Sequence, residues 1–299
     1  MSIKKPQKAP SDPITNEQLH LLNYPIVGSP KLDGFRCTVD DTPLTSSMKL
    51  FPNIFLNEVL SDPMYKGLDG EILVGKPNDP DAFHNTSGPI RRINGEPDFN
   101  FFVFDNWIDG HHTYEQRWFK EKSYYTELPR VMVLEQKLLK SPDEVLAYEL
   151  EMLSQGYEGA MIRSLHSLYK EGRCSFRDLN IFKRKPFVEC EAIVVGFIEG
   201  LQNLNESHMD EMGRNVRSSH KANKVPKGTL GSFVLRSKLW KKDFTAGFGE
   251  GYDMSHKQYV WNHRQEFLGL TVTIKYQKYG SREAPRIANV IKIRPLWDL

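Results

Sequence analysis

Lys31-Leu32-Asp33-Gly34-Phe35-Arg36 sets an amine nucleophile, a carboxylate, a position without a side chain and a fixed cation in one short run. That set suits attack on a phosphate ester. A lysine amine must be partly neutral before it can attack phosphorus, and a neighbouring cation such as Arg36 favours the neutral form. Gly34 lets the chain turn closely around a ligand. The competing reading is a hairpin turn at Asp33-Gly34, with Lys31 and Arg36 as solvated flanks. Immediately downstream, Phe35, Cys37 and Val39 alternate with Arg36, Thr38 and Asp40, the period of a strand with one buried face, so Lys31 lies in the loop that feeds a strand.

Working outward, the first half reads as short strands broken by turns, with occasional helices. Leu68, Gly70, Ile72 and Val74 alternate with Asp69, Glu71 and Leu73, which sets Glu71 opposite the core-facing side. Phe101 to Asp105 is another strand. A helix begins at Ser141, with Pro142 at its first position and Glu144 placed for a capping box, and it stops at Gly156. Glu158-Gly159-Ala160-Met161-Ile162-Arg163 follows as a strand with Glu158 and Arg163 on opposite faces. In Phe182-Lys183-Arg184-Lys185-Pro186, alternation puts Lys183 and Lys185 on one side, where they repel unless an anion lies between them. Pro186 interrupts the ladder and marks a domain boundary.

Beyond it, Glu191 to Gly200 starts a second strand-rich unit. Residues 212–242 then hold nine Lys or Arg and no Asp or Glu, the strongest charge segregation in the chain. Such runs read either as solvated loops or as contacts for a phosphate backbone. A helix near Ser255 to Phe267 and a strand from Thr271 to Tyr279 follow, and the C-terminus closes with Pro285-Arg286-Ile287 and Ile291-Lys292-Ile293-Arg294.

The 299 residues suffice for about two domains, each with its own core. A net charge of +2 argues neither for nor against a polyanionic partner, so the placement of charge has to decide. Cys37, Cys174 and Cys190 form no close pair and sit with no histidine cluster, which argues against a disulfide framework or a structural zinc and fits a reducing, intracellular setting. Met1 to Pro13 is polar and reads as a short flexible lead without a signal-peptide core. No stretch approaches the length of a membrane span.

Four signals thus stand in order: Lys31-x-Asp33-Gly34-x-Arg36, Asp69-Gly70-Glu71, Glu158-Gly159-x-x-x-Arg163 and Lys183-x-Lys185. With Phe101-Phe102-Val103-Phe104-Asp105 and Ser167-Leu168-Tyr169-Lys170-Glu171-Gly172-Arg173, the chain resembles, over nearly its whole length, the covalent nucleotidyltransferase superfamily, and within it the small ATP-dependent DNA ligases of viruses and phages. The resemblance implies an α+β fold: a nucleotidyltransferase (ATP-grasp-like) adenylation domain over residues 1–188, with antiparallel sheets and flanking helices, then a β-barrel OB-fold domain over 189–299. A basic DNA-wrapping insertion is expected around 201–228, and a hinge near 186–190.

It also implies a reaction. Lys31 takes AMP from ATP, the adenylate passes to the 5′-phosphate of nicked duplex DNA, and the 3′-hydroxyl displaces AMP. Such in-line displacements ask the protein chiefly for positioning and positive potential. Lys183 and Lys185 suit the α-phosphate, and Glu158 suits Mg²⁺, with Mn²⁺ as a substitute. By family position, Glu71 hydrogen-bonds the ribose and is a second metal carboxylate. Phe104 stacks on adenine, Ser29 lies where the adenine edge is read, Arg36 contacts phosphate or ribose, and Asp33 orients the nucleophile or the metal shell. Arg286, Lys292 and Arg294 match the last family motif, whose cations orient pyrophosphate. Arg214, Arg217, Lys221, Lys224 and Lys227 fall in the DNA-wrapping segment.

Two departures stand out. Ser46 occupies the position of a family arginine that grips the 5′-phosphate of the nick, which leaves Ser46 and Lys49 as the DNA contacts there. Ile287-Ala288 replaces the usual Phe-Pro of the last motif. RNA ligases and mRNA capping guanylyltransferases use the same lysine chemistry, and a non-catalytic OB-fold binding protein is a reading of another class. A monomer is the expected state.

Overall fold

The computed structural model describes residues 5–120, 122–209, 215–218, 221, 223–249, 251–278 and 280–294. The Lys31 loop is not a hairpin. It joins β1 (Ile26–Pro30) to β2 (Phe35–Val39), and these strands belong to different sheets. With β3 (Pro43–Thr45), β4 (Leu68–Val74), β5 (Phe99–Asn106) and β6 (Val131–Val133), one sheet runs in the order β3-β2-β4-β5-β6. The other, built from β7 (Lys137–Leu139), β8 (Ala160–Ser164) and β9 (Ile181–Arg184), runs β7-β1-β8-β9. All neighbours are antiparallel except β5 and β6. Lys31 therefore sits where the chain crosses from one sheet to the other.

The chain separates into two compact units, Met1–Lys185 and Pro186–Leu299. In the first, β4 is covered on both faces rather than one. Leu68 and Ile72 join Phe101, Val103 and Trp118 in the larger core, while Leu73 packs with Leu32 and Phe102 in a second. The Glu71 face is thus an inner face.

The helix Pro142–Ser154 begins as its sequence dictates: Ser141 accepts from the Glu144 amide, and Gly156 takes a positive φ just past its end. The Glu144 carboxylate, however, accepts from the Lys140 amide and so does not close a box on Ser141. Past the helix, strand β8 starts only at Ala160, because Gly159 has φ +149° and breaks the alternation read for Glu158 to Arg163. A Cβ at Gly159 would lie 2.1 Å from the Arg184 carbonyl oxygen. That close approach of the Glu158 turn to the Lys183–Lys185 strand is what only glycine permits here.

In the second unit, β10 (Val188–Asn203), β13 (Lys224–Arg236), β14 (Phe244–Phe248), β15 (Thr271–Gln277) and β16 (Arg286–Ile293) close into a barrel in the order β10-β13-β14-β16-β15. Val194, Phe233, Leu235, Val272, Ile274 and Val290 fill it. Between β14 and β15 lie two helices, Met254–Asn262 and Arg264–Phe267, where one was expected. His263 leaves helical geometry between them.

Much of the basic segment is barrel strand. β10 and β13 stay paired out to Asn203 and Lys224, and a small hairpin of β11 (Ser207–Met209) and β12 (Asn215–Arg217) lies between them in the chain.

The N-terminal lead, expected to be flexible, is docked in its described part. Lys8 bridges to Arg173, Gln7 and Ile14 are buried, and the Ile14 amide donates to the Lys183 carbonyl at 3.1 Å.

Candidate active site

Lys31 is fixed from both ends. Its amide donates to the Gly159 carbonyl at 2.9 Å, and its ammonium is ion-paired with Glu158 Oε2. Glu158 is almost wholly buried, and its other oxygen faces Lys185 Nζ at 3.4 Å. One carboxylate therefore bridges two lysines that lie 154 positions apart in sequence (185 − 31).

Gly34 serves this loop differently from the sequence reading. A Cβ there would lie 2.6 Å from the Ile72 carbonyl oxygen and 2.8 Å from Glu71 Cγ, so glycine lets the loop approach β4 rather than a ligand.

Lys31, Lys183 and Lys185 line one cavity of about 370 Å³, together with Ser29, Arg36, Ser46, Glu71 and Phe104. That volume suits a small-molecule ligand of nucleotide size. Lys183 carries the electrostatic signature of the place: burial and then the charges of Lys185, Lys31 and Arg173 press its pKa down to about 8. An arriving anion would favour its protonated form.

Glu71 is shifted the other way. Burial raises its carboxyl to about 7, against the opposing pull of Arg36 and Lys31 and with help from the charges of Asp33 and Glu158. Asp33 itself is buried.

Arg36 is not the bare cation expected beside Lys31. Its guanidinium forks onto buried Asp69 at 2.6 and 2.7 Å, donates to the Gln7 carbonyl at 3.1 Å and lies 4.6 Å from the Phe104 ring centroid. Burial opposes its charge but Asp69 outweighs burial. The pair holds one wall of the cavity, with Tyr169 donating to the same carboxylate at 2.7 Å. A second buried clamp supports the floor: Asp105 accepts from Arg117 Nε at 2.9 Å and pairs with Arg163, which lines the cavity, and the two guanidiniums overcome burial to hold the Asp105 carboxyl below its usual range.

Lys8, Tyr114, Gln136 and Arg163 line the cavity without having been singled out as site residues. Arg163 at least lay inside a quoted motif. Nothing in the local pattern marks the other three, because they arrive by long-range contacts.

Lys49 is exposed and outside the cavity lining, its amide tied to Thr45 Oγ1 at 3.2 Å, so it does not replace the missing cation at position 46 within the cavity.

The remaining expected residues lie in the second unit. Arg286 and Lys292 are on β16, and Arg294, just past it, is paired with Glu191 at 3.0 Å. Arg217 donates to the Asn205 carbonyl at 2.6 Å, Lys221 and Lys227 are exposed, and Lys224 opens β13. Arg214 lies outside the described residues. Within the basic segment Arg236 is paired with Asp243 and Lys242 with Glu283, so not all of its charge is available to an outside anion.

No family model matches the chain. Over 82 residues it is 30% identical to a DNA ligase of African swine fever virus (isolate Tick/South Africa/Pretoriuskop Pr4/1996), a match covering 27% of this chain and only 19% of that relative. Solved structures are similar over nearly the whole chain. The adenylate form of chlorella virus DNA ligase matches 98% of this chain and 100% of its own, at 23% identity and a TM-score of 0.54. A structure from the Lig E DNA ligases matches 98% and 100%, at 19% identity and a TM-score of 0.70. The chain therefore has the fold of the small DNA ligases. No helix among the described residues is long and apolar enough to cross a membrane.

Proposed function

We propose that this chain is an ATP-dependent DNA ligase that seals nicks in duplex DNA, joining a 3′-hydroxyl to a 5′-phosphate through lysyl-AMP and DNA-adenylate. The observation that carries the reading is the convergence of Lys31, Lys183 and Lys185 on one nucleotide-sized cavity, with Glu158 buried against the attacking amine.

In the first step Lys31 Nζ attacks the α-phosphorus of ATP. A P–N bond forms, the P–O bond to the β-phosphate breaks, and pyrophosphate leaves with the electron pair. The proton shed by the amine has an acceptor already in contact, Glu158 Oε2. Lys183 and Lys185 offset the charge that builds on the α-phosphate oxygens. In the second step an oxygen of the nick's 5′-phosphate attacks the same phosphorus and Lys31 departs, taking back the proton. In the third, the 3′-hydroxyl oxygen attacks the 5′-phosphorus, the phosphoanhydride P–O bond to AMP breaks, AMP leaves with the electron pair and the hydroxyl proton passes to solvent. Glu71 binds the ribose, Phe104 stacks on adenine, Ser29 meets its edge and Asp33 steadies the loop. Arg36 does its part mainly by anchoring the wall through Asp69.

Magnesium fits the donor set, though not as a resident ion. Among the described residues no group of three or more His, Cys, Asp or Glu could cage a metal, whereas one or two carboxylates beside nucleotide phosphates are what hydrated Mg²⁺ uses. Glu158 and Glu71 would hold it, Mn²⁺ substituting, and when bound it lends positive charge to the phosphate oxygens.

The first unit, Met1–Lys185, is the adenylation domain and the second, Pro186–Leu299, an OB-fold, three residues before the expected 188/189 boundary because Val188 already opens β10; the five-stranded closed order supports the reading. Arg214, Arg217, Lys221, Lys224 and Lys227 grip the duplex backbone, and Arg286, Lys292 and Arg294 orient pyrophosphate.

The test is ATP-driven joining of a nicked duplex by wild type and Lys31→Ala. Joining by the first and none by the second is expected, and equal joining rejects the assignment. Labelled GTP in place of ATP on the protein would point to a capping guanylyltransferase.

A further inference from the structure

Lys8 is a cavity cation to which the reaction above gives no role. Its backbone is tied down on every side. Its amide donates to the Gly172 carbonyl at 2.8 Å, and its own carbonyl accepts from the Cys174 amide at 2.8 Å. The carbonyls flanking it accept from guanidiniums, Gln7 from Arg36 at 3.1 Å and Ala9 from Arg173 at 2.9 Å. Gln7 is wholly buried and its amide meets the Tyr169 hydroxyl at 3.1 Å. Long-range bonds in this number fix the backbone on both sides of Lys8.

What the arm delivers is one ammonium. Lys8 Nζ donates to the Ser46 carbonyl at 2.6 Å, and both residues line the cavity that holds Lys31 and Lys183. Among the described residues no carboxylate pairs with it. Burial first, and then the charges of Arg36, Arg173 and Lys5, all cations, lower its pKa. Cations gathered in a partly buried place repel until an anion joins them. Because Ser46 is exposed, this charge stands at the cavity rim, reachable by a phosphate from outside after a nucleotide is seated at Lys31.

We propose that Lys8, positioned by Arg36 and Arg173 through the backbone of the N-terminal arm, binds a phosphate at the cavity rim and recognises the terminal 5′-phosphate of a nick. It supplies the cation that Ser46 cannot. The proposal rests on the ligase reading.

The test compares wild type, Lys8→Ala and Lys8→Arg, each preincubated with ATP and magnesium and then held in excess EDTA so that no joining occurs, for affinity toward a nicked duplex ending in 5′-phosphate or 5′-hydroxyl. A charge-assisted bond predicts a wild-type preference for the phosphate of about tenfold or more. Lys8→Ala should bring that ratio near one, and Lys8→Arg should keep most of it. A wild type without preference, or an alanine variant that keeps the wild-type ratio, overturns the proposal. So does an intact ratio with a raised ATP requirement for lysyl-AMP, which would assign Lys8 to the phosphates of the nucleotide. Intact mass on the same wild-type sample reports lysyl-AMP separately, so failure of the ligase reading is seen apart from failure of Lys8.

Discussion

Glu71 is held between burial, which favours its neutral form, and the charges of Arg36 and Lys31, which favour its ionised one; burial prevails and its carboxyl titrates near 7. This has a consequence for stability. Below about pH 4.5 the carboxyl is neutral whether the chain is folded or not. As pH rises from there, the unfolded chain releases its proton first, and stability falls until the folded carboxyl also ionises near 7. The loss amounts to at most about 3 kcal/mol. Urea unfolding of wild type and Glu71→Gln at pH 4.5 and 7.5 should therefore show the wild type losing stability relative to the variant at the higher pH. A constant difference between the two would mean that Glu71 is not buried neutral. The identity of such residues was legible from the chain because their chemistry is local: Lys31, Asp33 and Gly34 sit within one loop and Arg36 on the strand it feeds. Their partners were not. That Asp69 neutralises Arg36 depends on the pairing of β2 with β4, and that Asp105 clamps Arg117 and Arg163 depends on a helical turn and a strand of the other sheet meeting β5, which no short spacing encodes.

Among the elements, those with strong local signals were read well. Ser141, Pro142 and Gly156 bound a helix because caps and a left-handed stop act within a turn. The N-terminal arm was misread for the opposite reason. Its polar, proline-rich composition has no period, and what orders it is a series of carbonyls meeting Arg36, Arg173 and Cys174. The basic segment was half legible. Its charge was evident, but that β13 begins at Lys224 and forms part of the barrel was not; the β10–β13 pairing ends at Asn203 and Lys224. Replacing 204–223 with a short turn removes Arg214, Arg217 and Lys221 without cutting the barrel. On the proposed function, affinity for a nicked duplex should drop, and the slope of log affinity against log salt should become shallower by roughly two to three. An unchanged slope would show that these cations touch no phosphate.

At the scale of the molecule, two units have separate cores: a pair of sheets around a nucleotide-sized cavity in one, and a closed barrel in the other. The ordered motifs come from separate strands and turns of the first unit, Lys31 after β1, Glu71 within β4, Glu158 before β8 and Lys183 on β9, and none of them bears on the barrel. The depth of the site was less visible, because Glu158 and Lys185 meet Lys31 only when Gly159 lets two backbones touch. The most direct measurement is mass spectrometry of the whole chain after incubation with ATP and magnesium, followed by peptide mapping. The account predicts one adenylyl group on Lys31, absent from Lys31→Ala. An unmodified wild type, or an adenylyl group on another residue that survives in Lys31→Ala, would contradict it.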